Sequence, residues 1–204
     1  MLTIDHIAVS ASDLQTGTAE VEAALGVPLA PGGQHAAMGT WNRLLSLGDD
    51  EYFELIAIEP GAPGPAQPRW FDLDNFAGPT RATTWICRCD DLDAALALAP
   101  PGTGVPWALE RGDLRWRMAV PETGKLPFGG LFPALIEWEG AAHPAPRLPD
   151  HGVRLKRLEL NSPEARALRR ALGALIDDAR VVVLEADAPR MAAILDTPRG
   201  EVRL

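Results

Sequence analysis

An alternating strand that runs into an Asp-Leu pair and then an alanine-rich helix occurs twice in this chain, and a weaker third version follows. In the first version Ile7 and Val9 alternate with His6 and Ala8 over Thr3 to Ser10, the period of two expected of a half-buried strand. Ser12 or Asp13 then caps a helix carrying Ala19, Val21, Ala24 and Leu25 at helical spacing. That helix stops at Gly26, a residue free to take the left-handed C-cap conformation. Strands are predicted near Gln34-His35, over Thr40 to Leu47 and over Tyr52 to Ile58, with Gly48-Asp49-Asp50-Glu51 as the turn between the last two. The second version opens with Thr83 to Cys89, where Asp91-Leu92 repeats the place of Asp13-Leu14. Strands at Val105 to Glu110, Leu114 to Val120 and Phe132 to Trp138 follow. The third runs through Val153 to Leu160, a helix over Ser162 to Leu175 with Pro163 in its first turn, and strands at Val181 to Leu184, Met191 to Leu195 and Glu201 to Leu204.

A recurring strand-helix-strand-strand-strand order constrains architecture even where the residues differ. The chain therefore reads as α+β, with βαβββ units at residues 1–60 and 80–140 and a third, shorter βαβββ-like unit at 151–204. Between the first two lies Glu59 to Pro79, rich in Pro and Gly but carrying Trp70, Phe71 and Phe76, which predicts a linker that packs by its aromatics. Pro121 to Leu131 is a loop long enough to be a lid. Three units cannot all pair with one another. One must stay unpaired, extend a sheet edge or meet a second subunit, and a homodimer is expected.

Composition closes off several function classes. Lys and Arg total 19 against 28 for Asp and Glu, a formal net charge of −9 that repels a phosphate backbone, so nucleic acid is not an expected partner. No apolar stretch is long enough to span a bilayer, and Met1-Leu2-Thr3-Ile4-Asp5-His6 lacks the basic and apolar regions of a secretory signal. Cys87 and Cys89 point to the same side of a strand, too close in sequence for an unstrained disulfide, and read as free thiols. The expectation is a soluble cytoplasmic protein with no membrane partner.

The residues Ile4-Asp5-His6-Ile7-Ala8-Val9, Asp13-Leu14, Ala23-Ala24-Leu25-Gly26-Val27, Gly39-Thr40-Trp41-Asn42-Arg43-Leu44-Leu45 and Phe53-Glu54-Leu55-Ile56 resemble the glyoxalase-like branch of the vicinal-oxygen-chelate superfamily. The resemblance is specific over about the first sixty residues and looser through Pro133-Ala134-Leu135-Ile136-Glu137-Trp138. It implies paired βαβββ units whose mixed sheets curl into a cup with the helices outside. It also implies a small-molecule ligand in that cup and, in many members, a divalent metal held by His from first strands and Glu from fourth strands.

Strand parity leads to the same cup. If Ile7, Val9, Phe53 and Leu55 face the helix, His6 and Glu54 share the other side and can meet. An imidazole and a carboxylate on adjacent strands are ligand types for Zn, Mn, Fe or Ni. The second unit, however, puts Thr84 and Ala134 at the matching positions, which leaves two ligands where about three are normal. A third would have to come from His35, from Glu159 or from another subunit; Glu137 has the wrong parity unless a bulge turns it inward. The reading favours no metal, with His6 and Glu54 as a catalytic acid-base pair or as a buried hydrogen-bonded pair with a purely structural role.

Parity adds Asn42 to the pocket. Taking Trp116, Met118 and Val120 as the apolar face of their strand puts Arg115 and Arg117 in the cup near Thr84, Arg88 and Trp138, with His35 at the rim. Clustered arginines favour a carboxylate or phosphate. His143 and His151 are expected to be exposed. The functional expectation is a glyoxalase-like protein that binds a small anionic metabolite. The alternatives are a metal-dependent lyase, isomerase or dioxygenase, and a protein that sequesters its ligand without reaction.

Overall fold

The computed structural model describes residues 1–204. The first unit consists of β1 (Thr3–Ser10), α1 (Leu14–Leu25), β2 (Ala30–His35), β3 (Thr40–Ser46) and β4 (Tyr52–Ile58). The second consists of β5 (Arg81–Arg88), α2 (Leu92–Leu98), β6 (Val105–Arg111), β7 (Leu114–Val120) and β8 (Ala134–Trp138). The repeated Asp-Leu pair does the same job twice: Asp13 accepts the Thr16 N–H and Asp91 the Ala94 N–H, each satisfying a free donor in the first turn of its helix. Gly26 ends α1 at φ 73° and donates its N–H to Glu22 O.

Both units share one eight-stranded sheet in the order β2-β3-β4-β1-β5-β8-β7-β6, joined at its centre by the antiparallel pair β1/β5. Within each unit the first and last strands run parallel. The sheet curls until its two edges nearly meet. Gly33 on β2 lies against β6: an added Cβ would sit 2.8 Å from Arg111 Cδ, so a side chain there would push the arginine from its place. The convex face is covered by the helices, where Leu14, Leu25 and Leu92 pack with Ile7, Val9, Phe53 and Leu55. The concave face is lined by Ala8, Ile56, Ile86, Met118, Ala134 and Ile136, and it is roofed by the 3-10 segment Trp70–Asn75, whose Trp70, Phe71 and Leu73 are buried against them.

The third segment comprises β9 (Arg154–Ser162), α3 (Ala165–Gly173), β10 (Val181–Glu185), β11 (Arg190–Thr197) and β12 (Gly200–Arg203), which form a separate four-stranded sheet in the order β10-β9-β11-β12. Its element order repeats that of the other units but its topology does not. Here the first strand pairs in parallel with the strand directly after the helix, whereas β1 pairs in parallel with β4. Leu158, Leu160, Met191 and Ala193 pack with Leu168 and Leu172 of α3 into the same apolar cluster as the convex face of the large sheet. The surplus unit thus pairs with neither of the others and packs against them as a separate sheet. Cys87 and Cys89 are free thiols. No helix is long and apolar enough to cross a membrane.

Because one apolar cluster spans both sheets, Leu158→Ala should cost about 2–5 kcal/mol and leave a single cooperative transition in urea monitored by circular dichroism and tryptophan fluorescence. Two separate transitions would contradict a shared core.

Candidate functional site

The site begins with an irregularity in β1. Along β5 the register passes from Ile4↔Cys87 to His6↔Ile86, so Asp5 is an extra residue, a β-bulge. Ile4 stays in the convex core while Asp5 and His6 both turn to the concave side, which strict alternation forbids. His6 Nδ1 lies 2.6 Å from Asp5 Oδ1, and its ring stacks on Tyr52 with centroids 4.3 Å apart. Asp5 Oδ2 also accepts from Trp138 Nε1 at 2.9 Å and His143 Nε2 at 3.0 Å, so the wholly buried carboxylate has both oxygens satisfied.

On its other side His6 Nε2 lies 3.6 Å from Glu54 Oε2, and Glu54 Oε1 accepts from Asn42 Nδ2 at 2.6 Å. Asn42 Oδ1 accepts the Gly33 N–H at 2.7 Å and Arg111 Nη1 at 3.3 Å. Arg111 Nη1 also reaches His35 Nε2 at 3.1 Å, and His35 Nδ1 meets Thr40 Oγ1 at 3.1 Å. A polar chain therefore crosses the cup floor from His143 to Thr40, and Arg111 carries it across the gap between the sheet edges.

These contacts set the protonation states. Burial lowers the His6 pKa, but the hydrogen bonds and negative charges of Asp5 and Glu54 outweigh it and raise it to about 9, leaving an imidazolium at neutral pH. Burial raises Glu54, yet His6, His35 and Asn42 bring it down to about 2. Asp5, also opposed by burial, is held well below the usual carboxylate range by His143 and His6. Burial lowers His35 to about 4, so it is neutral. The guanidinium can only donate, which makes His35 Nε2 the acceptor and places the ring proton on Nδ1. Burial pushes the Tyr52 hydroxyl well up, and it stays protonated.

Beside this chain is a hollow of about 30 Å³, room for about one water molecule. His6, His35, Asn42, Glu54 and Arg111 form its polar end, and Trp70, Phe71, Trp116, Met118 and Trp138 its apolar walls. Arg111 is half-buried there and has no carboxylate within 4.0 Å.

The structure brings His6, Glu54, His35, Asn42 and Trp138 together at this hollow. Thr84 lies beside Ala8 but opens into a neighbouring cavity. Arg88 stands at the end of β5, 4.0 Å from Asp5 and bonded to Thr3 and Asp50 O. Arg115 and Arg117 are not in the cup: Arg115 pairs with Glu110 on the surface, and Arg117 pairs with Asp93 and Glu137 beneath α2. The apolar face of β7 is itself the concave wall, because Trp116 and Met118 line the hollow, so the assumption that apolar means helix-facing fails for this strand. His143 is also corrected, being half-buried on Asp5 rather than exposed. Tyr52 stands beside His6, as the shared parity of Tyr52, Glu54 and Ile56 predicts, whereas Asp5 and Arg111 were missed. Arg111 shares the parity of Trp107 and Leu109 and became visible only once β6 proved one residue longer than the predicted strand.

The donors do not fit a catalytic metal. Both His6 ring nitrogens face carboxylates, and the concave residues Thr84, Ile86, Ala134, Ile136 and Trp138 of β5 and β8 offer no ligand. No three His, Cys, Asp or Glu side chains converge on a point that could hold an ion. Glu137 accepts from Leu92 N–H and Arg117, and Glu159 is tied to Arg157 and Arg203 on the third sheet, so neither completes a set.

The sequence pattern of the glyoxalase-like domain matches residues 4–176. Among solved structures, a hypothetical protein from Staphylococcus aureus superposes with a TM-score of 0.61 at 12% identity, covering 93% of this chain and 88% of that one. A methylmalonyl-CoA epimerase from Mycobacterium tuberculosis gives 0.41 at 21% identity over 68% of this chain and 88% of its own. The epimerase from Streptomyces coelicolor, in complex with 2-nitronate-propionyl-CoA, gives 0.43 at 17% identity over 70% and 100%. No curated protein matches the sequence.

The two histidines predict opposite pH slopes of stability. His35 has a folded pKa of about 4, below its ordinary value of 6.5, so the unfolded chain binds more protons between these values and stability rises with pH there. His6 has a folded pKa of about 9, so its contribution is complete below 6.5 and is lost as pH climbs through 9. Tm measured by differential scanning fluorimetry should therefore peak near pH 6.5, with His35→Gln flattening the acid limb and His6→Gln the alkaline limb. Unchanged limbs in these variants would contradict the assigned protonation states.

Proposed function

The chain belongs to the glyoxalase-like domain family, and from that premise we propose that its cup binds a small organic anion without a metal. The observation that carries this reading is Arg111. Its guanidinium faces the hollow, its bonded partners there are the neutral His35 and Asn42, and Nη1 makes both bonds, so further donors of the fork are free for a carboxylate or phosphate. His6 and Glu54 at the same end carry opposite charges and offset each other, so Arg111 is the positive group there with no carboxylate of its own. Tryptophan walls suit a compact apolar portion of the ligand.

A hollow of about 30 Å³ admits no metabolite, so the roof formed by Trp70–Asn75 moves aside for entry. In the closed position Phe71 and Asp72 stand at φ 60° and 54°, left-handed values that cost a non-glycine residue about 1–3 kcal/mol.

A second reading, proton transfer on the bound anion, is favoured by the opposite charge states of neighbouring groups: His6 protonated and Glu54 ionised, 3.6 Å apart. Under it, Glu54→Gln abolishes deuterium incorporation from D2O at the acidic C–H of a bound carboxylate while leaving its affinity within a few-fold, as read by NMR. Equal incorporation by variant and wild type removes this reading.

Binding itself is tested by calorimetry with acetate, pyruvate, malonate and inorganic phosphate. Arg111→Met should weaken the best of these by about tenfold to a hundredfold, the worth of one or two charge-assisted hydrogen bonds, while Arg115→Ala changes it less than about twofold. Equal affinity in the Arg111 variant contradicts the assignment.

A further inference from the structure

Next to the cup lies a far larger cavity, of about 530 Å³, with Phe71 and Leu126 in its wall. It opens between the roof segment, β5, the loop from Pro121 to Leu131 and the first residues of β11. Its size is within the usual range for small-molecule pockets, whereas the cup in its closed form is not. Phe71 lines both hollows and is the partition between them.

The charge of its lining runs against that of the chain. Arg81, Lys125 and Arg190 line it with Asp72 as the only carboxylate, in a protein of net charge −9. Arg81 has no carboxylate within 4.0 Å; its guanidinium lies over the Phe76 ring at 4.5 Å and bonds the carbonyls of Ala77 and Pro79, which fixes its position at the cavity wall. Arg190 is likewise free of any carboxylate, and Lys125 reaches Asp72 only at 3.7 Å in an exposed pair. Apolar surface from Phe76, Leu131 and Met191 stands among these cations, and Thr83 and Thr84 add hydroxyls. Pro189, Arg190 and Met191 lie beyond the residues that match the family pattern, so this wall is an addition of the third sheet.

We infer that this outer cavity is a second binding site, for an organic anion with an aromatic or acyl body, its acidic group held by Arg190 and Lys125 and its body laid between Phe76 and Met191. The site goes beyond the cup reading and does not depend on it. An occupant touches Phe71 and so contacts the roof that closes the cup.

Two dyes with one ring system separate charge from apolar contact: anilinonaphthalene sulfonate and the neutral N-phenyl-1-naphthylamine. Titrated against the full chain by fluorescence, the sulfonate should bind one to one and about tenfold or more tighter than the neutral dye. Lys125→Ser combined with Arg190→Ser, both at exposed positions, should erase that preference while leaving the neutral dye's affinity within about twofold. Met191→Ser should weaken both dyes together. Arg111→Met should leave the sulfonate's affinity unchanged, so a failed cup reading and a failed outer site give different results. No binding of the sulfonate, a stoichiometry well above one, or a preference that survives the double substitution overturns the inference.

Discussion

An imidazolium held between two buried carboxylates organises this protein. His6 is in contact with Asp5 on one ring nitrogen and faces Glu54 from the other, and none of the three can be charged alone at such burial without a large penalty. Each therefore fixes its neighbours. Asp5 draws in Trp138 and His143 from the end of the second unit, and Glu54 draws in Asn42 and, through it, Arg111 from the far edge of the sheet. The chain of hydrogen bonds thus ties the ends of both units across the concave face, where the apolar walls alone would leave the sheet edges free to part.

The same arrangement is built from the chain's own residues. The first unit still presents an imidazole and a carboxylate toward the cup, but the second has turned its matching positions over to Thr84 and Ala134. Glu54 is partnered from within the chain: His6 takes up a proton, and Asp5, brought inward by the bulge, stabilises it. Asp5 and Glu54 outnumber the one charge of His6, and Arg111, which touches neither carboxylate and bonds the neutral His35 and Asn42, is the group through which an anion is expected to bind.

Much of this was legible in the sequence wherever strands are regular. His6, Glu54 and Asn42 fall on the concave face by simple alternation, and the Asp-Leu caps locate both helices to within a residue or two. What was not legible depends on features that alternation cannot encode. A bulge at Asp5 leaves no mark in a run of apolar and polar residues. In β7 both faces meet protein, so hydropathy misplaced Arg115 and Arg117, whose carboxylate partners are on β6, α2 and β8. Arg111 sits where its strand ends, the least certain part of any boundary. The third segment has the right order of elements but another topology, since order does not say which edge a strand joins. The aromatics of the linker announced that it packs, though not that it roofs the cup.

The central claim, that the buried His6 ring is doubly protonated, is tested most directly by nitrogen-15 NMR of histidine-labelled protein at pH 7.5, with His6 assigned by comparison with His6→Gln. The account predicts two protonated ring nitrogens that persist until titration at about pH 9. A single protonated nitrogen at pH 7.5, with titration near the ordinary histidine value, would contradict it.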